Sequence, residues 1–155
     1  MDFQIVIDTR EKAPYSFACG TVLSKLEAGD YSVVGFEDKV AVERKSLADF
    51  VHTVVHDFGR FAAELEKLGR CESACVAVEA DLSAVLRGEA VSECRGVTGQ
   101  SLLGASAHIM ARYGVPVFWC GSRQAARAFT EAWLRSFVRQ RARKEMCQRE
   151  NNTVV

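Results

Sequence analysis

Val40-Ala41-Val42-Glu43-Arg44-Lys45-Ser46-Leu47-Ala48-Asp49 is the stretch whose reading decides the fold. It opens as an apolar run that reads as a strand. It closes as the first turn of a helix, because Ser46 can cap the backbone N–H groups that follow it. Side chains on a strand alternate in direction, so Glu43 and Lys45 share one side and Arg44 takes the other. A carboxylate and an amine are thus held side by side at a strand end. Two readings compete: a site that keeps a cation and a water together, and a surface ion pair beside a capping box made by Ser46 and Asp49.

Working upstream, Gly29-Asp30-Tyr31-Ser32-Val33-Val34 and a short polar turn precede this strand, the signature of a hairpin. The start of one antiparallel strand lies beside the end of its partner, which places Asp30 near Glu43. Further back, Phe3-Gln4-Ile5-Val6-Ile7 suits a strand buried on both faces and emerges into Asp8-Thr9-Arg10-Glu11. Residues 12–20 read as a loop that Tyr15 and Phe17 can tuck down. Residues 22–26 fit either a helical turn or a short strand.

Downstream, apolar residues recur at helical spacing from Leu47 to Leu68, with Gly59 expected to split or kink the helix. Asp49, His52, His56 and Arg60 form a polar stripe on the opposite face. The pair His52 and His56 offers a transition-metal chelate or, more commonly, solvent-facing groups. Strands are expected near 73–79 and 115–120, and a short helix after Asp81. A loop follows over 87–99, then helices over 101–113 and from Arg123 to Cys147. Phe129, Trp133 and Phe137 should face the core. Together these elements predict an α/β domain with a mixed sheet of about five strands flanked by helices.

The 155 residues suffice for one domain that buries about two thirds of its unfolded surface. We expect a single domain over 1–150 and a frayed tail over 151–155. The formal net charge is zero, so a nucleic-acid partner would have to meet a local patch. One such patch is the segment from Arg135 to Glu150, which carries +4 against −4 elsewhere; a solvated helix face explains the same charges. Six cysteines without a C-x-x-C pair read as reduced thiols. An intracellular location is therefore expected, in the cytoplasm of a prokaryote or phage-infected cell or in a eukaryotic nucleus. No signal peptide or membrane-spanning run is expected.

The polar residues at strand ends are Asp8, Glu11, Asp30, Glu43 and Lys45. If three carboxylates converge within ~4 Å, each pair repels by about 4 kcal/mol at an effective dielectric near 20, so the cluster calls for a cation. Oxygen-only ligands favour Mg²⁺ or Mn²⁺. Such an ion polarises a phosphodiester and activates a water, with Lys45 able to orient the nucleophile.

Asp8-Thr9-Arg10-Glu11, Gly29-Asp30-Tyr31 and Glu43-Arg44-Lys45 followed by Asp49 resemble the nuclease domain of the XPF-type structure-specific endonucleases, within the restriction-endonuclease-like superfamily. The likeness covers residues 3–80, including Gly59-Arg60-Phe61 and Glu64-Leu65. It implies a three-layer fold with Asp8, Asp30, Glu43 and the Arg44 carbonyl as metal ligands and Lys45 as a catalytic group. Glu11 and Asp49 would support the site, and Arg10 and Arg60 would approach the DNA backbone or brace the site. Family members that act on forks and flaps usually add helix-hairpin-helix elements, for which this sequence has no room. The expected activity is metal-dependent cleavage of branched or flapped DNA, by a monomer, a homodimer or with a partner protein. The rival readings are a non-catalytic nucleic-acid-binding subunit and a nuclease that works only with a partner chain.

Overall fold

In the computed structural model, which describes residues 3–94 and 96–152, the apolar runs form one six-stranded sheet. The strands are β1 (Ile5–Asp8), β2 (Thr21–Ser24), β3 (Tyr31–Val33), β4 (Val40–Lys45), β5 (Ser73–Val78) and β6 (Val117–Trp119), in the order β2-β1-β3-β4-β5-β6. β3 runs antiparallel to both β1 and β4. The pairs β1–β2, β4–β5 and β5–β6 are parallel. The mixed sheet is as expected, with six strands instead of about five. The extra one is β2, the 22–26 region left open by sequence, whose residues are all exposed at the sheet edge. An edge strand lacks the apolar alternation that would have marked it.

Helices α1 (Leu47–His56), α2 (Phe58–Leu68), α3 (Leu82–Leu86), α4 (Val91–Cys94) and α5 (Gly99–Tyr113) lie on one side of the sheet, and α6 (Arg123–Asn152) lies on the other. β4 shows why there are two cores. Ala41 joins Phe50, Phe61, Leu65 and Ile109 beneath α1, α2 and α5. Val40 and Val42 join Tyr31, Leu134 and Phe137 beneath α6. Period-two alternation on a central strand therefore feeds two layers at once. Phe50 is fully buried, and truncating such a side chain costs about 3–5 kcal/mol.

Three local details differ from the sequence expectations. The break between α1 and α2 falls at Asp57, with φ −136° and ψ 30°, and Gly59 sits inside the first turn of α2. The polar 87–99 segment contains α4, and α5 starts at Gly99 because Thr98 accepts a hydrogen bond from the Ser101 amide. The terminal helix runs past Cys147 to Asn152, so residues 151 and 152 continue it. The rest of the expected frayed tail, 153–155, lies outside the described residues. All six cysteines are free thiols. Among the described residues no helix is long and apolar enough to cross a membrane.

Candidate active site

β1 and β4 end at the same edge of the sheet, where the antiparallel β3 begins. Three segments far apart in sequence therefore deliver Asp8, Asp30 and Glu43 to one place. Gly29 sets the second of these. Its φ of +71° belongs to the left-handed region, and a Cβ there would stand 3.0 Å from the Val42 carbonyl oxygen. Only glycine lets the chain pass so close to β4. The Asp30 amide then donates to Val42 O at 2.9 Å, and the Asp30 carboxylate accepts from the Arg44 amide at 2.7 Å. A strand residue's N–H and C=O share one edge, so the Arg44 carbonyl also faces the Asp30 side.

A cavity of about 320 Å³ opens here, lined by Asp8, Asp30, Glu43, Lys45, Arg10 and Arg60 among others. Lys45 Nζ stands 3.3 Å from Glu43 Oε1 and 4.8 Å from the centre of the Phe61 ring, which confirms that the two side chains share a face. Asp8 is 2% exposed and its carboxylate is crowded with donors. It accepts from the Arg10 amide at 2.7 Å, from the Arg10 guanidinium at 2.8 and 3.0 Å, and from the Leu26 amide at 2.7 Å.

These surroundings push the carboxyls in opposite directions. Burial raises Asp8, but the hydrogen bonds from Arg10 and Leu26 outweigh it and leave the group below the usual carboxylate range. Asp30 is pushed up to about 8, first by burial and next by the charge of Glu43. Glu43 is raised as well, chiefly by burial; Lys45 opposes that shift and Glu64 adds to it. Like charges in a closed space cannot all ionise without a counter-charge.

Among the described residues no three His, Cys, Asp or Glu side chains stand together as a ready metal cage. The three expected ligands line one cavity, but Asp8 is turned to Arg10, Asp30 to the Arg44 amide and Glu43 to Lys45. The donor chemistry nevertheless fits a hard divalent cation. Carboxylates line the cavity with no thiol or imidazole, and burial together with neighbouring carboxylates raises Asp30 and Glu43, a cost of ionisation that a bound cation would offset.

The other expected residues divide. Arg60 lines the cavity because the break at Asp57 turns α2 back toward it, so the polar stripe does not run straight on from α1. Asp49, His52 and His56 line a separate cavity of about 310 Å³ beside Val97. The Asp49 amide donates to Ser46 Oγ at 3.1 Å, so Ser46 caps α1 as expected; this is the Ser46 half of the expected capping box. Glu11 sits on the opposite side of β4, held by Arg44 through two contacts of 2.9 and 3.0 Å.

Sequence reasoning gave two groups no role, although Glu64 stands among the residues of the likeness. Glu64 lines the cavity and accepts from the Gly29 amide at 3.3 Å. Its spacing of four from Arg60 on one helix was the available signal. On the other face of β4, Glu79 accepts from Tyr15 at 2.8 Å and from Arg123 at 2.9 Å, with Arg44 at 3.4 Å. No sequence pattern announces partners so distant along the chain.

The model of the ERCC4 domain matches residues 7–132. The chain belongs to the ERCC4 domain family. The XPF-type likeness read from the motifs therefore stands. Two solved structures share the fold, with a TM-score of 0.67 each. XPF from Aeropyrum pernix in complex with DNA is 23% identical and covers 89% of this chain. XPF from Aeropyrum pernix is 22% identical and covers 94% of this chain. The chain spans 66% of the first and 70% of the second, so it corresponds to about two thirds of each. No curated protein matches. In this ERCC4 domain the matched span includes Asp8, Asp30, Glu43 and Lys45 and ends inside α6.

Proposed function

We propose that this ERCC4 domain is a Mg²⁺- or Mn²⁺-dependent DNA endonuclease that cuts branched or flapped duplexes. The observation that carries the reading is the meeting of Asp8, Asp30, Glu43 and Lys45 at one cavity from three separate segments. Binding of DNA by a solved XPF structure of the same fold supports the choice of substrate.

Asp8, Asp30, Glu43 and the Arg44 carbonyl would hold the cation, which when bound supplies Lewis acidity at a phosphate oxygen and at a water. Asp8 must then share its carboxylate between the ion and Arg10. Lys45, fixed between Glu43 and the Phe61 ring, presents its ammonium to the attacking water and to the charge that builds on the phosphate. Arg60 and the exposed guanidinium of Arg10 meet the flanking phosphates.

One observation favours a second reading. Arg10 holds Asp8 through both carboxylate oxygens; on this reading the site is completed only when DNA or a partner chain draws Arg10 away. The test uses end-labelled linear duplex, single-strand, flap and four-way-junction DNA with Mg²⁺, Mn²⁺ or EDTA, beside Asp30→Asn. Metal-dependent cutting that the variant loses is the expected result, and the favoured substrate names the preferred shape. Cutting only after addition of cell extract would select the partner-dependent reading. Binding of all substrates without cutting, under every condition, would instead make the chain a nucleic-acid-binding subunit.

A further inference from the structure

Two buried side-chain nitrogens among the described residues have no hydrogen-bond partner, Trp133 Nε1 and Arg141 Nε. Both residues lie on α6, about two turns apart, and both line one cavity of about 230 Å³. Lys144 adds a second positive charge to the lining, and Phe137 adds an apolar wall. The acid at this cavity is Glu72, already engaged by Arg141 Nη1 at 3.1 Å and 4.0 Å from Lys39 Nζ.

An indole N–H and a guanidinium Nε can only donate, so the partner they lack is an acceptor. Buried donors left without one are rare in folded proteins, since each has given up its water without replacement. Two cations against one carboxylate favour an acceptor that carries negative charge. We propose that this cavity is a second binding site, for a phosphate-type oxyanion, with Trp133 Nε1 and Arg141 Nε as donors and Lys144 as counter-charge.

The site is distinct from the carboxylate cavity. It borders Ser73, which pairs with Val40, whereas the carboxylate cavity borders Lys45, which pairs with Val78. The separation along the strands is about 16 Å, and α6 covers the opposite face of the sheet. A phosphate bound here is therefore not the one being cleaved. The same chemistry would accept free phosphate, a nucleotide or the phosphorylated end of a strand.

The chain has two tryptophans, and the other is an internal control, since Trp119 Nε1 already donates to Ser106 at 3.1 Å. With the ¹⁵N-labelled full chain, the two indole N–H resonances are followed as sodium phosphate replaces sodium chloride at constant ionic strength. The Trp133 resonance should move and saturate while that of Trp119 stays. Arg141→Lys should weaken the response about tenfold or more. Trp133→Phe, which keeps the aromatic wall, should lower phosphate affinity measured by calorimetry without lowering the melting temperature. Deoxynucleoside 5′-monophosphates and a 5′-phosphorylated oligonucleotide beside its unphosphorylated twin then name the source. A Trp133 resonance that stays still, or two resonances that drift together without saturation, would show that no oxyanion reaches these donors and would overturn the site. Equal phosphate affinity in Trp133→Phe and the parent chain would overturn it as well. None of these readouts depends on the nuclease reading.

Discussion

The two faces of β4 hold charges of the same kinds in opposite states. On the α6 side, Arg44 is 10% exposed and is matched by Glu11 and Glu79, with Arg123 and Tyr15 completing the network. Glu11 and Arg44 are both shifted toward their charged forms: Glu11 is lowered despite burial, and Arg44 is raised despite it. On the α1–α2 side, Asp30, Glu43 and Glu64 share a cavity with Lys45, and Asp30 and Glu43 are raised. One face spends its charges on each other. The other leaves negative charge over, which stabilises nothing by itself and is what a cation-dependent site requires.

The contrast is tested most severely by removing a group from the cavity. Asp30→Asn should reduce cleavage by about 10³-fold, the equivalent of several kcal/mol of lost metal-assisted stabilisation. Lys45→Ala should cost roughly 10²–10⁴-fold. Asp30→Asn should raise the melting temperature of metal-free protein, whereas Lys45→Ala, which takes from the buried Glu43 its cation at 3.3 Å, should lower it without unfolding the chain. If both variants cut at the parent rate, the cavity is not the site; if both unfold, its charges are as structural as those of the other face.

The matching change on the α6 side should act on stability. Arg44→Gln leaves Glu11 and Glu79 buried without their shared cation, and losing one partner of a buried pair costs about 3–5 kcal/mol. Chemical denaturation should show that loss in the midpoint, with an unchanged slope. A change below about 1 kcal/mol would mean that water reaches these carboxylates, and the two faces would no longer differ.

This division also marks how far the sequence could be read. The strand-to-helix stretch around Glu43 was legible because alternation places side chains within one element, and the hairpin brought Asp30 to Glu43 by local geometry. Asp8 was found at the emergence of a buried strand. What stayed hidden depends on contacts between distant segments: Arg10 clamping Asp8, Glu64 returning from α2, and Tyr15, Glu79 and Arg123 converging behind Arg44. β2 was obscure for another reason, since an exposed edge strand carries no apolar pattern. Asp49 shows that a motif residue can be legible while its place is not, because it lies in the first turn of α1, capped by Ser46, beside a different cavity.

The pH dependence of metal-free stability sharpens the comparison at a smaller scale. Burial and the charge of Glu43 push Asp30 up to about 8 in the folded chain, whereas the unfolded chain releases this proton near the ordinary aspartate value of 3.8. Between those values the folded state binds more protons, so stability falls as pH rises through that window. Asp8 and Glu11 are lowered, so their contribution is present above the ordinary carboxylate range and is lost as pH falls through their lowered values. With EDTA, the melting temperature should therefore peak near pH 5 and decline toward pH 8.5. Asp30→Asn should flatten the alkaline decline, and Mn²⁺ should restore stability to the parent chain at pH 8.5 but less to the variant. An alkaline limb that is the same in both would place the unmatched charge elsewhere.

The smallest effect expected belongs to the joint between the two faces. Ser46 follows Lys45 directly, and its hydroxyl accepts from the Asp49 amide at 3.1 Å, so α1 starts where β4 stops. Ser46→Ala removes one cap and should cost about 1 kcal/mol of stability, or about 2–4 °C in melting temperature for a domain of this size. Ser46→Asn should recover most of that loss, because asparagine caps as well as serine does. The direction of Lys45 is fixed by strand alternation and by Glu43 and Phe61, not by the cap, so cleavage should survive in both variants. A Ser46→Ala chain that melts normally but cuts poorly would show that the helix start, and with it Asp49, takes part in placing Lys45. The boundary between structural and catalytic charge would then lie one residue further along the chain.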